Sequence, residues 1–277
     1  MIIKRVLHFP LTRIVIGVVI CGIALLGTNS GLRFLFRSES DLLRVVRWLI
    51  STFVLLTTYW VLFRNYEGRE ITELSKENLL KEGLIGLSTG ALSIGLVISI
   101  LFVKGYYEIQ SILDPIYLLL SLVLFITLSA FEEVVFRGIV YRIAEESLGT
   151  NLALILSGML FGLAHLPNEN ANAISVISAA SGGILAGLLF SMTRRLWLPI
   201  FFHAGWNWAQ GSLGVPFSGI EEIPGFVQSS INGPVLITGG AFGPENSVLT
   251  IALVLVLSGI AYYIVWKRGN LIYRTNK

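Results

Sequence analysis

The sequence predicts an all-α, polytopic membrane protein with about eight transmembrane helices, and three observations support this fold class. Of the 277 residues, 54% are hydrophobic and only 13% are charged, whereas soluble domains carry about 25% charged residues. The mean hydropathy is +0.76. Several uninterrupted apolar segments approach the ~20 residues that a helix needs to cross a bilayer. No low-complexity tract or appended soluble domain interrupts them, so residues 1–277 are expected to form a single integral membrane domain.

Eight apolar segments are predicted to span the membrane. They comprise residues 14–28, 45–63, 83–103, 116–136, 152–166, 173–192, 196–213 and 248–266. The lengths of the fifth and seventh segments support a membrane span least well, because Pro167 and a glycine-rich stretch set their ends. Lys4, Arg5 and Arg13 resemble the basic start of a signal peptide. Since no clean small-residue cleavage site follows and seven further segments do, we expect an uncleaved anchor.

Lysine and arginine are distributed unevenly between alternate loops, which predicts the orientation of the chain. With the N-terminus inside the cell, the inner segments hold 15 of the 20 basic residues and the outer loops hold 5. The positive-inside rule therefore predicts a multi-pass protein of the cell membrane with both termini in the cytoplasm. Four arginines in the first outer loop, Arg33, Arg37, Arg44 and Arg47, run against this assignment. Because the net charge of +3 follows from the same bias, no nucleic-acid partner is expected.

Other features concern helix packing and the outer surface. Glycines recur four residues apart within three segments, a spacing that lets membrane helices approach closely. The pairs are Gly86 and Gly90, Gly158 and Gly162, and Gly183 and Gly187. The outer loop 214–247 is rich in glycine and proline and lacks lysine and arginine, so it is predicted to be irregular. Cys21 is the single cysteine, which excludes an internal disulfide and a CxxC-type metal site.

Three stretches place polar side chains inside apolar segments, where an ionisable residue costs at least ~2.5 kcal/mol and normally faces the bundle interior. EEVVFR holds Glu132, Glu133 and Arg137; FGLAH holds Phe161 and His165; HAGWN holds His203 and Asn207. Glu133 and Arg137 are four residues apart and can pair on one helix face, which leaves Glu132 available. Each stretch alone is also explained by a helix end or an interhelical hydrogen bond. Together they supply the groups that hydrolysis of an unactivated carbonyl needs.

Two hydrolytic mechanisms fit these residues. In the first, His165, His203 and one glutamate, with Glu132 as the candidate ligand, bind zinc, and the other glutamate is the general base for the metal-bound water. In the second there is no metal: Glu132 activates a water with help from His165, while His203 and Asn207 donate hydrogen bonds to the oxyanion. Asn207 slightly favours the second mechanism, because an amide is a poor zinc ligand. The residues alone leave both open.

Taken in order, the three stretches resemble the signature of the CAAX protease and bacteriocin-processing family of intramembrane peptidases, also called the Abi family. This family includes the type II CAAX prenyl endopeptidases. Its pattern E-E-x-x-x-R, F-x-x-x-H and H-x-x-x-N is present without substitution, within a core of about residues 116–266. The GGAFGPE stretch at residues 239–245 is similar to a loop of bacterial members. The resemblance implies about eight helices around an intramembrane catalytic cavity that is accessible from the cytoplasm.

The resemblance also implies roles for the polar residues. Glu132 would be the essential base, Glu133, His165, His203 and Asn207 would lie at the site, and Arg137 and Phe161 would support them. The expected activity is endoproteolysis near the cytoplasmic membrane surface, on a peptide or protein that is prenylated in the family's namesake reaction. Zinc is the one candidate cofactor, and membrane lipids are further partners.

Two other functional classes compete with this interpretation. A non-catalytic membrane protein, acting in bacteriocin immunity or as a binding scaffold, would use the same helices to bind a partner. It would not need all five polar groups of the site. A transporter is disfavoured, because no inverted repeat is visible and the buried polar groups cluster in one half of the chain.

Overall fold

The computed structural model describes residues 6–36, 40–220 and 225–274. Within these ranges the chain is mostly helical, as predicted. The helices and strands are α1 Pro10–Leu35, α2 Asp41–Glu67, α3 Leu79–Val103, β1 Tyr107–Ile112, α4 Ile116–Glu133, a π-helical segment Val134–Tyr141, α5 Arg142–Leu148, α6 Thr150–Ala164, α7 Ala173–Thr193, α8 Trp197–Ser212, β2 Val227–Ile231, α9 Val235–Thr238 and α10 Val248–Lys267. Lys4, Arg5, Arg37 and Lys277, which entered the predicted charge count, lie outside the described residues.

Eight helical stretches of the described chain correspond to the eight predicted spans. Six are long and apolar enough to cross a membrane, and the continuous stretch from α4 through α5 counts as one of them. The other two are α6, with 15 residues, and α8, with 16. These are the fifth and seventh predicted segments, whose limited length was expected. Large apolar side chains such as Leu92 and Val103 are exposed on the helix surfaces, as lipid-facing positions should be. The chain is therefore a multi-pass membrane protein.

A two-stranded antiparallel sheet is the main departure from the prediction. β1 pairs with β2, with Tyr107 opposite Ile231. β2, α9 and two short 3-10 turns lie within the loop 214–247, which the sequence predicted to be irregular. That prediction was wrong for these segments, because the partner of β2 is far away in the chain and each strand is too short to show a clear alternation of apolar and polar residues.

Glycines let α3 contact α8 backbone to backbone. A Cβ atom built on Gly90 would lie 2.0 Å from the carbonyl oxygen of Phe202, and one built on Gly86 would lie 2.7 Å from the carbonyl oxygen of Leu198. The glycine pairs of α6 and α7 lie where those two helices touch. The four-residue spacing of glycines thus predicted close helix packing correctly at all three places.

Replacing Gly90 with alanine is expected to destabilise the protein by about 1–3 kcal/mol, because the added methyl group would overlap the Phe202 carbonyl and push α3 away from α8. Gly95→Ala is the matched control on the same helix, since nothing lies within 4 Å of a Cβ built there. It should be neutral or slightly stabilising. Thermal unfolding of both variants in detergent measures the difference, and equal melting temperatures would contradict the close packing of α3 on α8.

Ion pairs are concentrated at the end of the bundle where α1 begins and α2 ends. Glu67 of α2 pairs with Arg13 of α1 at 2.6 Å and with Arg142 of α5 at 3.0 Å. Arg69 pairs with the buried Glu73 at 2.5 Å. Burial alone would raise the pKa of Glu73, but its hydrogen bond and ion pair with Arg69 outweigh burial and lower that pKa. These pairs tie α1, α2 and α5 together.

Candidate active site

The paired glutamates lie in the middle of a continuous helix. α4 ends at Glu133 and passes directly into the π-helical segment and α5, so the helix runs to Leu148 and the predicted end near residue 136 is wrong. The helix continues because its charged side chains are paired inside the protein rather than solvated: the side chain of Arg137 is fully buried and that of Glu133 is 1% exposed. Arg137, which the charge count assigned to the cytoplasmic side, belongs to the bundle interior.

The π-helical segment directly follows Glu133. Such segments are rare and are frequently found at functional sites. Its carbonyl groups receive hydrogen bonds from side chains: the Ser157 hydroxyl of α6 donates to the Phe136 carbonyl at 3.0 Å. The Tyr59 hydroxyl and Arg142 Nε each donate to the Gly138 carbonyl at 2.9 Å. Side chains from α2, α5 and α6 thus hold the segment that carries Arg137.

Arg137 joins this segment to α6 and α7. Its Nη1 donates to Glu133 Oε1 at 2.8 Å, which is the ion pair that the four-residue spacing predicted. Its Nη2 donates to the Gly183 carbonyl at 2.9 Å. The guanidinium carbon lies 4.6 Å from the centre of the Phe161 ring, a cation–π contact. One buried cation therefore links three helices around the glutamates.

His203 of α8 lies between the two glutamates. Its Nδ1 is 2.9 Å from Glu133 Oε1, and its Nε2 is 3.8 Å from Glu132 Oε2. The sequence predicted that Arg137 would occupy Glu133 and that Glu132 alone would face the histidines. The structure differs, because Glu133 Oε1 accepts hydrogen bonds from Arg137 and from His203 Nδ1 together.

Two carboxylate oxygens of the site lack a hydrogen-bond donor among the described residues. Oε2 of Glu132 and Oε2 of Glu133 are buried, and neither accepts a hydrogen bond from the residues that the structure describes. Buried carboxylate oxygens normally have a hydrogen-bond partner. These two atoms are therefore placed to accept a hydrogen bond from a water molecule or a substrate.

His165 lies directly after α6, which ends at Ala164. Its Nδ1 is 2.8 Å from the Phe161 carbonyl oxygen. Because a carbonyl can only accept, Nδ1 carries the proton, and Nε2 is left for another partner. The Phe161 ring contacts both imidazoles, with ring centres 4.7 Å from His165 and 6.0 Å from His203. Phe161 thus contacts both histidines, and the supporting role that the resemblance implied for it stays a prediction.

A cavity of about 90 Å³ connects these residues and has room for several water molecules. Six of the seven predicted residues line it: Glu133, Arg137, Phe161, His165, His203 and Asn207. Asn207 is buried one turn after His203 on α8. Glu132 is not part of the cavity wall and approaches the other groups through His203. The structure therefore brings the three sequence stretches together in one place.

Glu245 also lines this cavity, although it was not among the predicted site residues. Its Oε1 accepts hydrogen bonds from the backbone N–H and the hydroxyl of Ser218, and its Oε2 accepts one from Gln210 Nε2 at 3.2 Å. Its backbone carbonyl accepts one from the Ser178 hydroxyl. The only signal for Glu245 in the sequence is its position as the last residue of GGAFGPE.

Glu245→Gln is expected to loosen the loop 214–247, because hydrogen bonds to a charged group are worth about 1.5–3 kcal/mol and an amide cannot accept all of those made to this carboxylate. Limited proteolysis should cut the loop several-fold faster in this variant. Glu169→Gln, at an exposed position of the neighbouring loop, is the control and should not change the rate. Equal cutting rates in the two variants would contradict a role of Glu245 in holding the loop.

The three predicted metal ligands, His165, His203 and Glu132, do not form a metal-binding group. Within residues 6–36, 40–220 and 225–274, no cluster of three or more His, Cys, Asp or Glu side chains could hold a metal ion. Only His203 Nε2 and Glu132 Oε2 approach one another, while His165 is held by the Phe161 carbonyl. A catalytic zinc site normally has three protein ligands. In this arrangement the residues do not fit such a site.

Comparisons with known proteins support the resemblance that the sequence motifs suggested. Residues 114–209 match the type II CAAX prenyl endopeptidase Rce1-like family, and this range contains all three motifs. Over 135 residues the chain is 27% identical to YdiL of Bacillus subtilis (strain 168), a protein provisionally named a membrane peptidase. This alignment covers 48% of the chain and 51% of YdiL, so the chain spans about half the length of that curated relative. No solved structure matches the chain significantly.

Proposed function

We propose, from the resemblance of residues 114–209 to the type II CAAX prenyl endopeptidases, that this membrane protein is an intramembrane endopeptidase. In the proposal, a water activated by Glu132 hydrolyses a peptide bond of the substrate. The observation that carries the proposal is the position of Glu132 Oε2, which is 3.8 Å from His203 Nε2 and has no donor among the described residues. A water that lies to one side of this pair could donate a hydrogen bond to each of the two atoms.

Each polar group has a role in this mechanism. Glu132 takes the proton of the water as its oxygen attacks the peptide carbonyl. Glu133 orients the His203 ring through Nδ1, and Arg137 in turn fixes Glu133. Asn207 donates a hydrogen bond to the oxyanion, an interaction often worth about 3 kcal/mol. These assignments follow the metal-free mechanism of the two considered from the sequence, except that His203 binds the attacking water instead of donating to the oxyanion.

His165 completes the proposed mechanism. Its Nδ1–H donates to the Phe161 carbonyl, so its Nε2 is free to accept a hydrogen bond from the water or the leaving amine. The proton that the leaving amine needs is the one that Glu132 took from the water. The competing mechanism, with zinc held by His165, His203 and Glu132, would require His165 to move towards the other two. Purified protein should therefore keep its cleavage rate in chelator and contain well below one zinc per chain. Loss of cleavage in chelator, restored by zinc, would favour the metal mechanism.

Comparison of membrane and secreted peptides from cells that express the wild type or Glu132→Gln tests the function itself. New peptide termini should appear with the wild type, and the uncut substrate should accumulate with the variant. Immunoblotting confirms that both proteins are present in the membrane in equal amounts. Identical peptide profiles, together with a phenotype that survives substitution of both Glu132 and Glu133, would instead favour a binding scaffold or an immunity protein.

A further inference from the structure

The two ends of the helical bundle are distinct. The end that we call the terminal end holds the start of α1, the turn before α6, the turn before α8 and the residues after α10. Arg13 pairs with Glu146 at 2.7 Å, the Thr150 N–H donates to the Ile272 carbonyl at 2.8 Å, and Arg194 Nη2 donates to the Asn270 carbonyl at 2.6 Å. Because the described chain crosses the bundle eight times, residues 6 and 274 lie at this same end.

The opposite end, which we call the loop end, holds the loop 165–172 and the described parts of the loop 214–247, residues 214–220 and 225–247. Asn168 Nδ2 of the first loop donates to the Ser218 carbonyl of the second at 2.9 Å. The β1–β2 sheet lies at this end as well, since the Tyr107 hydroxyl donates to the carbonyl of Leu213 at 2.8 Å. Of the predicted site residues, His165 is the one that belongs to a loop at this end, because it directly follows α6.

The cavity extends from the site residues towards the loop end. Its further walls come from α7 between Ser175 and Ala186, from the first half of α10 and from described residues of the loop 214–247, and both helices begin at the loop end. These wall residues include Ser175, Ser178, Thr250, Val254, Ser218 and Glu245. Several of them are small or polar, as a path for a hydrated peptide requires.

Towards the terminal end, the bundle interior is filled. Tyr141, Leu188 and Leu196 are each at most 1% exposed. The Tyr141 hydroxyl donates to Glu145 at 2.6 Å, and Glu145 pairs with Arg194 at 2.5 Å. A peptide coming from this end would have to break a packed apolar layer and a layer of ion pairs before it reached the glutamates.

We propose that the substrate reaches Glu132 and His203 from the loop end, the membrane face opposite to the one that carries residues 6 and 274. Apart from the buried Arg137, the described basic residues of the predicted inner segments lie at the terminal end, which by the positive-inside rule faces the cytoplasm. The loop end is then the extracytoplasmic face. The substrate class is a peptide segment exposed at that face, in place of the cytoplasmic cleavage that the family resemblance implied.

Single cysteines at three positions test this inference in the full-length protein after Cys21, the only native cysteine, is replaced by alanine. Glu169→Cys reports on the loop end, Glu77→Cys on the terminal end, and Ala179→Cys on the cavity wall. A small, membrane-impermeant thiol reagent is added to intact cells or to inside-out vesicles. We expect Glu169→Cys and Ala179→Cys to react in intact cells, and Glu77→Cys to react only in the vesicles.

Reaction of Ala179→Cys only from the face that labels Glu77→Cys would overturn the inference, as would labelling of Glu77→Cys in intact cells. The proposal rests on the proposed peptidase function, but labelling does not depend on activity, so the two can fail separately. If the wild type cuts no peptide, the peptidase proposal fails while labelling still decides the face of access. If cleavage occurs, modified Ala179→Cys should lose at least tenfold in rate, and modified Glu77→Cys should not.

Discussion

Peptide cleavage by Glu132→Gln should be about 10²–10⁴-fold slower than by the wild type, because an amide cannot take the proton of the attacking water. The two side chains have nearly the same shape, so His203 should keep its position 2.9 Å from Glu133. Substrate binding should then change little, and the loss should appear in kcat. Single-turnover cleavage of a peptide by purified protein in detergent measures this directly.

Two further variants separate a chemical role of Glu132 from a structural one. Glu132→Asp keeps a carboxylate on a side chain that is one methylene group shorter. It should recover part of the cleavage rate that Glu132→Gln loses. Glu169→Gln removes an exposed carboxylate from the loop end and should cleave at the wild-type rate. All three variants should unfold at nearly the same temperature. A wild-type rate for Glu132→Gln would rule out this glutamate as the base.

Arg137→Met should lower the free energy of unfolding by about 3–5 kcal/mol, the largest stability effect that we expect in the chain. The substitution leaves the Glu133 carboxylate buried without its cation, and breaking a buried ion pair on one side has a cost of this size. It also removes the donor to the Gly183 carbonyl and the cation over the Phe161 ring. Unfolding by denaturant or by heat in detergent measures this change in the free energy of unfolding.

The double variant Arg137→Met with Glu133→Gln provides the matched comparison. Removing both charges of a buried pair is often nearly neutral, so the double variant should recover most of the lost stability. It should not recover cleavage, because His203 would lose the carboxylate that orients its ring. A double variant no more stable than Arg137→Met alone would show that the arginine stabilises the fold by packing and not by its charge.

The spans and the buried ion pair were predictable because their signals are local. Long apolar segments and intramembrane charges can be identified without knowing what packs against them, and the spacing of Glu133 and Arg137 defined an ion pair that is present. The full length of the fourth span was not predictable in this way. Whether a helix continues past charged residues depends on partners from other helices, such as His203 and the Gly183 carbonyl.

Features that depend on contacts between distant parts of the chain could not be predicted. Glu245 reaches the cavity because a loop folds back over α7 and α8, and nothing within GGAFGPE indicates that path. The contact of His203 with both glutamates likewise depends on where α8 lies against α4. The face of access that we propose differs from the predicted one for a similar reason: basic residues bear on the orientation of the chain, whereas the packing of the helices decides which residues line the cavity.

The backbone contact of α3 with α8 has a consequence for motion. A helix seated on carbonyl groups through Gly86 and Gly90 cannot slide or tilt without losing that fit, so the wall that carries His203 and Asn207 is stiff. Widening of the cavity for a peptide must then come from the facing wall, where α7 presents Ser178 and Gly182 and, being packed closely on α6, would move together with that helix. His203 and Asn207 would stay fixed while the opposite wall moves, so substitutions in the two walls should affect different steps if the protein cleaves peptides.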